Sequence, residues 1–277
     1  MKISHIYHSG FLVSLDHSCL LFDWYTGELP EIPADKKLYV FCSHSHADHY
    51  SPRIWDLQLT HPEVIYILDE GIEDARNHPE ARILHVRPRM FYEIAGRIIR
   101  HRTPEEIMES GGPDFALDSS SEEENSFPVR FWTLESTDMG VAFYVETEGR
   151  RIYHAGDLNV WFWNDEPMED NLASEKKCRE EMQFLADTLG GPPDPASGGI
   201  KEKDGEPFIH AAFVPLDPRL EEYAPKCVEA FMESLGARFV FPMHYWGELE
   251  KTKAYLQEES LQKYADRIFF EDRKSVV

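Results

Sequence analysis

Seven residues, Ser43-His44-Ser45-His46-Ala47-Asp48-His49, constrain this chain more than any other stretch. They follow directly on an apolar run from Lys37 to Cys42. In extended backbone, residues two apart point to the same side, so His44 and His46 can bite one cation. A turn after them would bring Asp48 and His49 to a second cation nearby. Imidazole combined with carboxylate suits Zn²⁺, and also Fe or Mn. Pro52, just beyond, is placed to start a helix that holds the loop. Any one of these histidines alone reads as structural, but the set of four reads as a metal site. A chain that uses it must end a strand here and bring further donors to the same end.

Two other segments offer such donors. His154-Ala155-Gly156-Asp157 closes an apolar run, and Asp157 is placed as a carboxylate that bridges two cations. Gly156 lets the backbone turn tightly there. In Phe241-Pro242-Met243-His244-Tyr245-Trp246-Gly247, His244 follows a strand-like run. That is where open α/β sheets place site residues. His244 is the natural partner of Asp48 and His49.

The first half reads as short strands: Ile3 to Tyr7, Phe11 to Leu15, Cys19 to Trp24, Lys37 to Cys42, Val64 to Leu68 and Arg82 to Val86. A short helical piece lies near Glu70 to Asn77. Val129 to Leu134, Val141 to Glu146 and Arg151 to His154 form a second set, with Glu148-Gly149 as a hairpin turn. Helices are expected over Met168 to Leu189, with Leu172, Met182, Leu185 and Leu189 on one stripe, and from Pro225 to Gly236. Phe208 to Val214 and Ala237 to Phe241 are strands, followed by a polar helix near Glu248 to Tyr264 and a last strand near Ile268 to Phe270. The pattern of strands then helices, twice over, predicts one α/β domain spanning residues 1–277. Segments 103–126 and 190–206, rich in Gly, Pro, Ser and charge, read as surface insertions.

Charge narrows the function. The 28 Lys and Arg against 51 Asp and Glu give a net −23, which repels phosphate backbones and anionic lipid. Nucleic acid is therefore disfavoured as a partner, and no 18-residue apolar run provides a membrane span. Four scattered cysteines without a Cys-x-x-Cys pair fit buried thiols in a reducing compartment. With no signal-peptide core at the start, a cytoplasmic location is expected.

The order His-x-His-x-Asp-His, then a strand ending in Gly-Asp, then a strand ending in His, resembles the metallo-β-lactamase-fold hydrolases. The opening His8-Ser9-Gly10-Phe11-Leu12-Val13 and Leu20-Leu21-Phe22-Asp23 are similar to the lactonase-like branch acting on ascorbate phosphate. The resemblance implies an α/β fold, a four-layer αββα metallo-β-lactamase-type sandwich, with a dinuclear site along one edge. It implies two divalent metal ions, one held by His44 and His46, the other by Asp48, His49 and His244, with Asp157 bridging. It places His8 and Asp23 near the metals. One departure stands out. The family supplies a third histidine before a glycine that opens a strand, where this chain reads Ser136-Thr137-Asp138-Met139-Gly140. Asp138 is the best substitute ligand, while Thr137 or Ser136 offers a hydroxyl to bound water, and His101, His154 and His210 are more remote candidates.

Paired cations bring the pKa of water towards about 7, which supplies hydroxide at neutral pH. Asp48 is then the catalytic carboxylate that orients the nucleophile or shuttles its proton. The expected activity is hydrolysis of a small-molecule ester, lactone, amide or phosphoester. Trp163, Arg219 and Tyr245 are the candidate substrate-binding residues: aromatic walls and a guanidinium for carboxylate or phosphate. A transfer-RNA-processing nuclease of the same fold, or a metal-binding protein disabled by the missing ligand, are the alternatives. A homo-oligomer is compatible with the sequence.

Overall fold

The structure is a computed structural model describing residues 1–109, 127–190, 199–202 and 204–270. Thirteen described strands form two sheets. The first contains β1 (Lys2–Tyr7), β2 (Gly10–Ser14), β3 (Ser18–Phe22), β4 (Lys37–Cys42), β5 (Ile65–Asp69) and β6 (Arg82–Val86), side by side in chain order. β1 to β3 pair antiparallel, and β3 to β6 run parallel. The second contains β7 (Phe91–Ala95), β8 (Ile98–Arg102), β9 (Val129–Glu135), β10 (Val141–Thr147), β11 (Arg150–His154), β12 (Ile209–Pro215) and β13 (Ala237–Met243). Its order is β13-β12-β11-β10-β9-β7-β8, with β11, β12 and β13 parallel.

The two sheets face each other because both their inner faces are apolar. Phe11 stacks on Phe213 at 4.0 Å and Phe41 meets Phe143 edge-on at 5.2 Å, across the gap between sheets. The central parallel strands β3, β4 and β5 read as nearly unbroken apolar runs because both faces are covered. Outside the first sheet, Ile54, Trp55 and Leu57 of the 3-10 helix Pro52–Leu59 pack on Leu21, Val40 and Tyr66. Outside the second lie α2 (Met168–Leu189) and α3 (Lys226–Ser234), through Cys178, Met182, Leu185, Val228 and Phe231. A short α1 (Pro104–Glu109) precedes them in the chain. The layers are therefore helix, sheet, sheet, helix.

Local reasons match the elements. Thr147 pairs with Arg150 across Glu148-Gly149, both at positive φ (50° and 67°), which is the tight hairpin turn whose twist suits the strands. Gly190 caps α2 at φ 133°. Ser51 caps the Pro52 segment by accepting from the Arg53 N–H.

Several expectations need correction. Leu172 faces solvent, and the buried stripe of α2 runs instead through Asn171, Cys178, Glu181, Met182, Leu185 and Ala186. The expected helix over Glu248 to Tyr264 breaks into α4 (Leu249–Ala254), a 3-10 turn and α5 (Glu259–Gln262), with Glu258 extended. It lacks a continuous apolar face to hold it straight. Ile268 makes only a single bridge to Val240 rather than a strand. The β7–β8 hairpin is an element the sequence reading did not single out. All four cysteines are free and buried, as expected. Most of the two insertions, residues 110–126, 191–198 and 203, lies outside the described residues.

Candidate metal centre

Chain ends of both sheets converge on one edge. β4 runs out at Cys42, so Ser43 to His49 leaves the sheet as a loop. β3 leads directly into Asp23, β11 into the turn carrying Asp157, and β13 into His244. The β1–β2 turn adds His8, and the β9–β10 turn adds Ser136 to Gly140.

Two close approaches bring these segments together. Gly140 sits at φ 73°, and a Cβ there would lie 2.0 Å from the Ser43 carbonyl oxygen. Gly156 sits at φ 53°, and its Cβ would lie 2.8 Å from the Ser43 Cβ. The Val141 N–H also donates to the Ser43 carbonyl at 3.0 Å. Only glycine at both positions lets the second sheet press onto the end of β4. That contact carries Asp157 to His44.

Asp157 is the hub. Its Oδ2 lies 3.3 Å from His44 Nε2, and its Oδ1 lies 3.0 Å from His49 Nε2 and 3.1 Å from His244 Nε2. Those three Nε2 atoms and Asp157 Oδ1 are buried, yet none makes an aligned hydrogen bond. They crowd around one carboxylate within ion-pair distance. Two donor groups result, His44 with His46 and Asp157, and His8 with His49 and His244, each with its ligand atoms within 4.8 Å of one another. This chemistry fits divalent metal ions, because buried unpaired imidazole nitrogens and a carboxylate are what such ions replace water with.

Buried groups behind the imidazoles orient the rings. Asp23, fully buried, accepts from the Ser43 N–H, the Ser43 hydroxyl and His49 Nδ1, each at 2.7 Å. The Ser43 hydroxyl, its proton given to Asp23, accepts from His44 Nδ1 at 3.0 Å. Both imidazoles are thereby held with Nε2 towards Asp157. His154 spends its own nitrogens elsewhere, with Nε2 on the Ser9 carbonyl at 2.9 Å and Nδ1 accepting from Gly156. It stacks on Phe22 at 5.1 Å and ties the β1–β2 turn to the second sheet.

Charge states follow from these surroundings. Burial would raise the Asp23 carboxyl, but His154, His49 and His44 hold it below its ordinary value. Burial opposes ionisation of Asp157 too, and His244, His44 and His49 outweigh it, keeping it well below the carboxylate range. Burial would depress His49, yet Asp157 and Asp23 on its two sides lift it to about 10. Burial leaves His8 at about 4 and His244 well below the usual histidine value. Those two rings are neutral at pH 7 and offer lone pairs.

The structure brings His44, His46, His49, Asp157 and His244 together, but two expected ligands stand aside. Asp48 joins neither donor group. Its Oδ2 lies 3.6 Å from His8 Nε2, and the carboxylate is about a third exposed at 32%. Asp138 is exposed on the cleft rim, its N–H donating to Ser136 Oγ. Asp138 lines the same cleft as His46 and Asp157 but belongs to neither donor group. Thr137 Oγ1 donates to the Asn159 carbonyl at 2.7 Å and steadies the Asp157 loop instead. His101 lies exposed on β8, and His210 accepts from the Arg151 N–H.

A cleft of about 480 Å³ opens above the centre, lined by His46, Asp48, Thr137, Asp138, Asp157, Trp161, Trp163, Arg219 and His244. Trp161 and Trp163 stack with rings 2° from parallel. Arg219 forks onto buried Asp217 and lies over Trp246 at 4.6 Å and Trp163 at 5.7 Å. Tyr245 turns away from the cleft and reaches His5 at 2.8 Å. Trp246 takes the position over His8, 4.2 Å from its ring. Two non-glycine residues at positive φ, His244 at 64° and Trp246 at 50°, flank Tyr245 at this bend.

Two facing sheets flanked by helices, with a histidine and aspartate cluster at one edge, define the metallo-β-lactamase fold, and this chain has it. No protein-family model matches the sequence. The chain is similar to the UPF0173 metal-dependent hydrolase of Opitutus terrae, 28% identical over 171 residues, which is 58% of this chain. The match spans 64% of that curated relative. The fold is similar to the metallo hydrolase Igni18 of Ignicoccus hospitalis, with TM-score 0.54 and 12% identity, covering 100% of this chain and 97% of that one. It is also similar to the metallo-β-lactamase fold protein YhfI of Bacillus subtilis, with TM-score 0.51 and 12% identity, covering 99% and 96%. No described helix is long and apolar enough to cross a membrane.

Proposed function

We propose that this chain is a metal-dependent hydrolase that cleaves a small-molecule ester, lactone, amide or phosphoester. The observation that carries this reading is the convergence of buried, unpaired imidazole nitrogens on Asp157 at the floor of an open cleft. The curated relative's name supports it. Divalent cations held there, Zn or else Fe or Mn, would supply Lewis acidity towards the bond under attack and towards water. His44, His46, His49, Asp157 and His244 would hold them. Asp23 and Ser43 keep two of those rings in the tautomer that presents Nε2. Asp48, exposed to the cleft, is placed to hold a proton at Oδ2 as the nucleophile forms and to return it to the leaving group. Trp161 and Trp163 shield one wall from water.

Arg219 is fixed by Asp217 and two indoles, so its guanidinium is pre-oriented to bind an anionic group on the substrate. Arg219→Ala is expected to raise KM for an anion-bearing substrate about ten- to a hundredfold, the range of one charged hydrogen bond. A neutral analogue should change little. Equal losses on both would remove this role. Asp23→Asn is expected to weaken metal affinity about ten- to a hundredfold, because it leaves a Ser43 or His49 donor unmatched. Competition with a chromogenic chelator measures it, and unchanged affinity would show that Asp23 does not orient the ligands.

The test of the main reading is a panel of esters, lactones, amides and phosphoesters offered to the metal-loaded full chain. Turnover of at least one class, abolished by chelation and restored by metal, is expected. Tight metal binding without turnover of any class would overturn it.

A further inference from the structure

One half of the metal centre carries a donor from the far end of the chain. His8 lies in the β1–β2 turn, 2% exposed, at φ 54°. Neither of its ring nitrogens has a hydrogen-bond partner. Its ring centroid is 4.2 Å from that of His244 and 5.7 Å from that of His49. A buried histidine that serves only packing spends its nitrogens on hydrogen bonds, as His154 does with Ser9 and Gly156. His8 spends neither, and it sits at positive φ, where only a few per cent of non-glycine residues lie. Such strain persists where a functional contact offsets it.

We propose that His8, His49, His244 and Asp157 form one nitrogen-rich cation site that fills first, and that His44, His46 and Asp157 form a second, weaker one. The donor sets set this order. The first offers three imidazoles and a carboxylate, the full complement for a four-coordinate zinc ion. All four residues are buried. The second offers two imidazoles and a carboxylate. His46 is partly exposed in the cleft, and Asp138 is not among the donors of this group. Asp157 serves both sites, with Oδ1 towards His49 and His244 and Oδ2 towards His44. Occupation is therefore stepwise, and the N-terminal turn belongs to the tighter site.

This inference rests on the metal-binding half of the proposed function and not on hydrolysis. The test is Zn²⁺ titration of the metal-free full chain against a chromogenic chelator, repeated with Co²⁺ to read the visible spectrum. The wild type is expected to bind one equivalent at least about tenfold more tightly than the next. His8→Asn keeps a residue that tolerates positive φ. It is expected to weaken the first equivalent at least about tenfold and to change its Co²⁺ spectrum. His46→Ala is expected to leave both unchanged and to weaken only the second equivalent. Thermal unfolding of metal-free His8→Asn at or above the wild-type midpoint separates a lost ligand from a lost fold. A first equivalent in His8→Asn with wild-type affinity and spectrum would overturn this inference alone, as would a first equivalent lost in His46→Ala. A wild-type chain that binds no metal would overturn the proposed function with it.

Discussion

His44→Ala is expected to lower the hydrolytic rate at least about a hundredfold, because it removes a ligand from the edge of the cleft where the bond is attacked. The ring is fully buried, and its Nε2 faces Asp157 at 3.3 Å. The substitution keeps the Cβ that packs against Gly140, so the close contact between the sheets survives. The loss should therefore appear in kcat and in the second metal equivalent rather than in the unfolding temperature. A near-wild-type rate would refute the assignment of this centre as catalytic.

Gly140→Ala should produce the largest change in stability. The added Cβ would meet the Ser43 carbonyl oxygen at 2.0 Å and the His44 Cβ at 2.6 Å. Neither is the far end of a flexible side chain, so backbone must move. Positive-φ strain and overpacking together cost about 3 kcal/mol or more. In a chain of this size that lowers Tm by roughly 6–12 °C. Gly149→Ala is the control. Gly149 has nearly the same φ, 67°, but nothing within 4 Å of the added carbon. Only strain remains there, about 1 kcal/mol. Equal shifts in the two variants would show that backbone conformation, not the seam between sheets, dominates at Gly140. Metal affinity should fall in Gly140→Ala alone, since Ser43 there supports the Asp23 and His44 contacts.

Much of the centre was legible because its donors are local in sequence. The spacing of His44, His46 and His49 after an apolar strand is visible without any tertiary information. So is a histidine or aspartate placed directly after a strand, as at Asp157 and His244. Asp138 and Tyr245 show what such reading leaves open. Both lie at the expected sequence positions, yet Asp138 sits exposed outside either donor group and Tyr245 reaches His5. Trp246, one residue on, reaches His8 instead. Nothing near Arg219 in the sequence foretold its fork with Asp217 beyond the spacing of two.

Apolar runs, turn residues and ligand spacing are properties of neighbouring residues, so the strands, the hairpin at Glu148-Gly149 and the histidine cluster follow from the order of amino acids alone. Which donors share a cation is a property of distance between segments far apart in the chain. His8 and His244 are 4.2 Å apart between ring centroids, though almost the whole chain lies between them. Only the packing of one sheet on the other, which seats His154 of the second sheet on the Ser9 carbonyl beside His8, settles that distance.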